Sequence, residues 1–193
     1  MSLRIISGHA RGRKIEAPST SLTRPTSDKV RGAIFSIVAS RLAKSERSFE
    51  TCTVLDVFAG SGALGLEAFS RGAQGGAFIE QNPEAFRTLV DNINHLGASD
   101  WRAYRRDACD PGKPHGTFNL IFLDPPYGKN LVPRSIRALE RAGWLAGDAL
   151  LVVEVGADEA PPRIDGFMCL DSRVLGACSL YLFTRSQEEN EIG

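Results

Sequence analysis

Leu123-Asp124-Pro125-Pro126-Tyr127-Gly128 is a short run whose residue types can do chemistry on an amino nitrogen. An amino group on an aromatic ring is a poor nucleophile, because its lone pair is delocalised into the ring. Asp124 can accept one of its N–H bonds. Two successive prolines cannot continue a sheet ladder, so the chain must leave the sheet rigidly and the Pro125 carbonyl is left free to accept a second N–H. Held by both oxygens, the nitrogen is pyramidal and its lone pair can be aimed at an electrophilic methyl carbon in line. That is catalysis by positioning and charge stabilisation. The nitrogen becomes more acidic as it gains the methyl group, and whether Asp124 itself takes the proton is left open. Tyr127 offers a flat face on which an extruded base can stack. The bland alternative is a tight turn with an exposed aromatic; the placement of the run directly after an apolar strand argues against it.

A second run, Asp56-Val-Phe-Ala-Gly-Ser-Gly-Ala-Leu-Gly65, places Gly60, Gly62 and Gly65 in the spacing G-x-G-x-x-G. The spacing alone fits nicotinamide and flavin nucleotides as well as S-adenosylmethionine. Its shared meaning is a sharp turn whose backbone can approach a ligand closely. Glu80 lies twenty positions after Gly60, where a carboxylate can accept both hydroxyls of a ribose. Asp56 discriminates. A dinucleotide would set its pyrophosphate near this turn and be repelled by that carboxylate. S-adenosylmethionine has no phosphate and carries a cationic amino group, so a carboxylate in or behind the turn suits it. Asp107 could then meet the adenine amino group. The bland alternative makes Asp56 a turn cap and Glu80 a solvated strand end.

Both runs need a scaffold that presents them at strand ends, and the apolar pattern supplies one. Strands are expected at Cys52–Val57, Gly76–Ile79, Trp101–Arg106, Phe118–Leu123, Ala149–Val155, Phe167–Leu170 and Cys178–Thr184. Helices are expected between them at Ala63–Arg71, Pro83–Leu96 and Val132–Ala142, with Gly72 and Gly97 as stops. Alternation of this kind predicts an α/β sheet of seven strands, mostly parallel, with helices on both faces. The last two strands, with no normal helix between them, predict an antiparallel C-terminal edge hairpin. Such sheets bind ligands beyond the carboxyl ends of their strands.

Ahead of this domain, Leu3–Ile15 reads as a short β-hairpin. A helix begins at Thr26 or Ser27, with Val30, Ala33, Ile34, Ile37 and Val38 as its buried stripe. The division expected is residues 1–50 as a hairpin-plus-helix extension, 51–185 as the catalytic domain and 186–193 as a disordered tail. The chain's 193 residues suit one compact domain with such an appendage, not two large domains.

The formal net charge of +0 hides an asymmetry. Residues 1–50 carry ten Lys/Arg against four Asp/Glu, and the remainder thirteen against nineteen. A basic arm on an acidic body suits a polyanionic partner, although a solvated basic surface has the same composition. Four cysteines without C-x-x-C spacing or clustered histidines disfavour a disulfide framework or a metal site and read as buried thiols. His9 and His115 read as surface or loop residues. No apolar run approaches the roughly 18 residues that span a bilayer, and Met1–Gly8 lacks the core of a signal peptide, so a cytoplasmic protein is expected.

The Gly-rich run and Asp124–Tyr127 together resemble the motifs of class I S-adenosylmethionine-dependent methyltransferases acting on amino nitrogens, a Rossmann-like fold. A narrower resemblance spans nearly the whole chain. Leu3-Arg-Ile-Ile-Ser-Gly8, Gly12-Arg-Lys14, Arg24-Pro-Thr-Ser-Asp-Lys-Val-Arg31 and Asp56 through Ala68, in that order, are similar to the bacterial RsmD family. That resemblance implies methylation of the exocyclic N2 of one guanine in 16S ribosomal RNA, on an assembled small ribosomal subunit. It implies a catalytic loop of Asp124, Pro125, Pro126 and Tyr127. It implies a cofactor site of Asp56, Phe58, Gly60, Gly62, Glu80, Asp107 and Ala108. It places Arg24, Thr26 and Arg31 at the active-site mouth. Arg4, Arg11, Arg13, Lys14, Arg24 and Arg31 could contact phosphates, which positions RNA without reading its sequence. Three other readings remain: a DNA or other nucleic-acid amino methyltransferase (adenine N6 or cytosine N4), a nicotinamide-dependent oxidoreductase, and a non-catalytic RNA-binding module. No stretch is left for a separate target-recognition domain, which weighs against the DNA enzyme.

Overall fold

The computed structural model describes residues 2–18 and 27–186. Strands β1 (Ser2–Arg4) and β2 (Lys14–Glu16) form the antiparallel hairpin, with Leu3 opposite Ile15. Helix α1 (Asp28–Ala43) starts at Ser27, whose side chain accepts the Val30 N–H. Its buried stripe is Arg31, Ile34, Phe35, Val38 and Leu42. The expected stripe was rotated by part of a turn, and Val30, Ala33 and Ile37 are only half-buried. The arginine that opens the true stripe masked it. Thr26 as a cap and most of the expected tail lie outside the described residues.

The main sheet is built from β3 (Thr53–Val57), β4 (Gly75–Ile79), β5 (Arg102–Tyr104), β6 (Phe118–Leu123), β7 (Leu145–Gly156), β8 (Phe167–Leu175) and β9 (Cys178–Arg185). Its order is β5-β4-β3-β6-β7-β9-β8. The first five strands run parallel, while β9 is antiparallel to both β7 and β8. This is the expected seven-stranded, mostly parallel sheet with an antiparallel C-terminal edge hairpin. Helices α2 (Ala63–Ser70) and α3 (Pro83–Leu96) pack with α1 on one face, and α4 (Leu131–Ala142) on the other. The chain order reverses direction across the sheet between β3 and β6, and a crevice opens at such a reversal.

Three strands differ from expectation by more than one residue at an end. β5 is shorter, because Trp101 turns into the core against Phe78 at 5.5 Å between ring centroids. Gly76 leaves room for it: a Cβ there would stand 2.3 Å from the Trp101 ring. β7 begins four residues early, because Leu145 pairs with Phe118 across an irregularity in the ladder. β8 runs on to Leu175 as an exposed edge strand, where polar residues such as Ser172 and Arg173 disguise a strand. The cysteines are all free thiols, but only Cys52 and Cys178 are buried; Cys109 is half-buried and Cys169 exposed.

The hairpin and α1 share one core with the sheet. Leu3, Ile5, Ile15, Ile34 and Phe35 belong to the same buried cluster as Val54, Leu66 and Phe122. Polar contacts lock the hairpin to α2. The Glu67 carboxylate, fully buried, accepts the Ile6 N–H at 2.7 Å, the Ser7 N–H at 3.0 Å and the Arg71 Nε–H at 2.8 Å. Ser70 Oγ donates to the Ser7 carbonyl and accepts the Ala10 N–H. Gly8 lies so close to the Ser70 carbonyl that no Cβ would fit.

Candidate active site

Strand register assembles the site. Asp56 pairs with Phe122, and Leu123 with Val153. Alternation along strands then puts Asp56, Asp124 and Glu154 on one face at the ends of three adjacent strands, with Glu154 beside Asp124. Asp56 and Glu154 are buried, and Asp124 is half-buried.

Asp56 does not face open space. It lies beneath the Gly-rich turn, where its Oδ2 accepts the Gly65 N–H at 2.8 Å. Burial pushes its carboxyl up to about 8; the Gly65 bond opposes the shift and Glu80 adds to it. The turn itself is strained in the left-handed region at Phe58 (φ 64°), Gly60 (φ 55°) and Gly62 (φ 80°). The three glycines have separate reasons. A Cβ on Gly65 would stand 2.3 Å from the Phe78 ring and one on Gly62 2.5 Å from Leu89, so these two serve packing. Only Gly60 opens onto empty space, as close approach to a ligand requires.

Glu80 is no solvated strand end. Its Oε2 accepts the Gly60 N–H at 2.8 Å and its Oε1 the Asn82 N–H at 2.7 Å. Each oxygen keeps acceptor capacity beyond that bond. Asp107 is exposed just after β5, with one oxygen accepting the Cys109 N–H at 2.8 Å, while Ala108 is buried behind it.

The loop Asp124–Tyr127 leaves β6 beside this turn, since Leu123 is the ladder partner of Val57. Burial first, then the charges of Glu154 and Asp56, raise the Asp124 carboxyl well above the usual carboxylate range. Pro125 is buried, whereas the Tyr127 side chain is 48% exposed. A cavity of about 370 Å³ opens beside the loop, lined by Pro125, Pro126, Tyr127, Leu131, Glu159 and Arg163.

Of the basic residues, Arg4, Arg11, Arg13 and Lys14 are exposed on the hairpin. Arg13 also reaches the carbonyls of His95 and Leu96 at the end of α3. Arg31 corrects the expectation: it is 1% exposed and cannot meet a phosphate. Its guanidinium instead joins the Arg4 carbonyl to the Asp28 carboxylate. Arg24 and Thr26 lie outside the described residues. His9 and His115 are exposed, His9 edge-on to Phe69 and His115 hydrogen-bonded to the Tyr104 hydroxyl at 2.7 Å. Among the described residues no group of three or more His, Cys, Asp or Glu could hold a metal ion. Sequence reasoning missed Glu154 and Glu67. A single acid inside the apolar run Leu150–Val155 was the available signal for the first.

A family model described as "Conserved hypothetical protein 95" matches residues 3–184. The chain belongs to this, the RsmD, family. It is 36% identical to ribosomal RNA small subunit methyltransferase D of Escherichia coli, across 96% of this chain and 91% of that protein. The namesake in Haemophilus influenzae is 32% identical across 94% and 93%. Among solved structures, an Escherichia coli methyltransferase, yhhF, superposes with a TM-score of 0.82 at 35% identity, covering 97% of this chain and all of that one. An RNA methyltransferase from Salinibacter ruber in complex with S-adenosylhomocysteine, at 19% identity and a TM-score of 0.57, shares the fold. The RsmD-family motifs thus sit where the sheet reverses, at the carboxyl ends of β3 and β6.

Proposed function

We propose that the chain transfers a methyl group from S-adenosylmethionine to the exocyclic N2 of a guanine in 16S ribosomal RNA, within the small ribosomal subunit and in the cytoplasm. The observation that carries this is that the Asp124–Tyr127 loop and the Gly60 turn leave neighbouring parallel strands, β6 and β3, at the point where the sheet order reverses. The names of the family's relatives supply the RNA class.

The residues present fit the cofactor. Gly60 offers open backbone, Glu80 offers oxygens suited to a ribose, and the exposed Asp107 offers an acceptor for an adenine amino group. Asp56, held under the turn, sets a negative potential there when ionised. Ala108 and Phe58 belong to one apolar cluster on the α4 side of the sheet. S-adenosylmethionine, when bound, supplies a sulfonium-activated methyl group.

The chain's own work is on the nucleophile. Asp124 and the Pro125 carbonyl accept the two N–H bonds of the base and keep its lone pair out of the ring. Proline backbone on either side keeps that oxygen pair from drifting. The raised proton affinity of Asp124 supports it as acceptor of the proton released when the N–C bond forms. The exposed face of Tyr127 is available to stack the base. Arg4, Arg11, Arg13 and Lys14 supply phosphate contacts.

The test is methyl transfer from labelled S-adenosylmethionine to undermethylated small subunits. Labelling of one guanine is expected, with little on short naked RNA. Asp124→Ala should lower turnover at least about a hundredfold while S-adenosylhomocysteine still binds. Unlabelled subunits overturn the substrate, and activity on duplex oligonucleotides instead would favour a DNA amino methyltransferase. An Asp124→Ala variant that keeps full function would mean a binding module.

A further inference from the structure

Asn92 is a buried side chain on α3 that the chemistry above leaves without a task. It is 2% exposed and makes three hydrogen bonds of 2.9 Å to the backbone of two distant segments. On one side it grips Glu16 of β2: its Oδ1 accepts the Glu16 N–H and its Nδ2 donates to the Glu16 carbonyl. On the other, Nδ2 donates to the Ser61 carbonyl inside the Gly-rich turn. Both hydrogens of the amide are thereby used. The grip on Glu16 also fixes which way the amide faces, since a flipped amide would set N–H against N–H.

The Ser61 carbonyl belongs to the peptide that joins Ser61 to Gly62. The N–H of that same peptide donates to the Ala59 carbonyl at 2.7 Å. Gly60 and Gly62 flank Ser61 in left-handed backbone, and glycine by itself imposes no single conformation. Asn92 and Ala59 therefore hold, by its two poles, a peptide whose own residues leave it loose. We propose that Asn92 is a positioning residue for cofactor binding: it clamps the Ser61–Gly62 peptide, takes its bearing from the hairpin, and keeps the Gly60 backbone preset for S-adenosylmethionine. This rests on the reading of the Gly-rich turn as the cofactor site. A turn already set in place does not have to be ordered when the ligand arrives. A second strut supports the clamp, because Arg13 of the hairpin reaches the His95 and Leu96 carbonyls at the end of the same helix. The hairpin is thus part of the frame of the cofactor turn as well as the carrier of the exposed cations.

Asn92→Ala and Asn92→Asp both remove the donor to Ser61, and Asn92→Asp keeps an oxygen for the Glu16 N–H. Each should weaken S-adenosylhomocysteine binding by about tenfold or more in calorimetry and raise the KM for S-adenosylmethionine alike. At saturating cofactor, kcat on undermethylated small subunits should stay within about threefold of wild type, because Asp124 and Pro125 are untouched. Leu139→Ala, which opens a cavity in the core under α4, should lower Tm and leave S-adenosylhomocysteine affinity within about twofold. In the wild type, the Asn92 side-chain amide hydrogens should exchange with solvent far more slowly than those of the exposed Asn130, and more slowly again with S-adenosylhomocysteine bound. Asn92 variants that bind S-adenosylhomocysteine like wild type overturn the inference, as does a loss of affinity that Leu139→Ala matches. If neither Asn92 variant folds, the exchange measurement decides: a response to S-adenosylhomocysteine upholds the clamp, and no response overturns it. A wild type that binds no S-adenosylhomocysteine sinks the reading of the turn itself, which a binding wild type with indifferent variants does not.

Discussion

The ends of β3, β6 and β7 and the N-terminal hairpin are built on opposite plans. At the strand ends, carboxylates far apart in sequence are gathered by ladder register, and burial raises the proton affinities of Asp56 and Asp124. On the hairpin, cations close together in sequence stand exposed. The hairpin's rigidity comes from elsewhere, chiefly from one buried acid, Glu67. The contrast teaches that burial, not position in a charged segment, decides which groups have their proton affinity shifted and which stay open to solvent as free charges. Arg31 makes the same point in reverse: it belongs to the basic segment by sequence and to the core by burial.

The heaviest blow to this arrangement should come from Glu67→Ala. It strands two backbone N–H groups and the Arg71 guanidinium, which costs about 3 kcal/mol or more. Thermal denaturation should show a drop of many degrees, and hydrogen exchange should show the hairpin amides losing protection. A hairpin still protected in that variant would mean that apolar packing alone docks it.

Within the Gly-rich turn, Gly65→Ala and Gly60→Ala should fail in different currencies. Gly65→Ala forces a methyl into the Phe78 ring and should cost about 1–3 kcal/mol of stability. Gly60→Ala meets only open space and left-handed strain of about 1 kcal/mol, so calorimetry should find its larger loss in S-adenosylhomocysteine affinity. Equal losses of affinity and stability in both would erase the distinction drawn between packing and ligand glycines.

The acidic side also makes a pH prediction. Asp56 holds its proton up to about 8 in the folded chain, against 3.8 for an ordinary aspartate. The folded state therefore binds more protons than the unfolded state between those values. This group's stabilising contribution is complete below the unfolded value and is lost as pH rises through about 8. Asp56→Asn keeps an oxygen for the Gly65 N–H, so its Tm should fall less than that of wild type as cofactor-free protein is taken from about pH 5 to about pH 9. Parallel Tm curves would place the carboxylate in a wetter setting than the structure gives it.

The smallest effects belong to the basic residues of the N-terminal segment. Replacing Arg11, Arg13 and Lys14 together by alanine should weaken RNA binding and flatten the dependence of log affinity on log salt by about 2. Arg31→Ala should lower Tm and leave that slope unchanged, because a buried guanidinium releases no counterion. A slope that changes with Arg31 would move it back among the phosphate contacts.

Much of this was legible in the residues. Gly and Pro punctuation delimited α3 to the residue, because Pro83 and Gly97 impose their geometry locally. The apolar runs of β3 and β6 announced a sheet buried on both faces. Edge strand β8 was half hidden, since only its pairing with β9 makes its exposed polar stretch a strand. In the same way G-x-G-x-x-G predicted a turn at a strand end, but not that two of its glycines serve packing against Phe78 and Leu89.

Residue type and local spacing determined the fold class, the turn and the rigid loop after β6, because periodicity and special backbone geometry are properties of neighbours in sequence. Tertiary structure alone decided which groups share a site and which are withdrawn from water. Glu154 lies thirty positions from Asp124 in the chain and beside it in the sheet, Arg31 is buried, and Asp56 lies beneath the turn. Register and desolvation are set between strands, and no window along a single strand contains them.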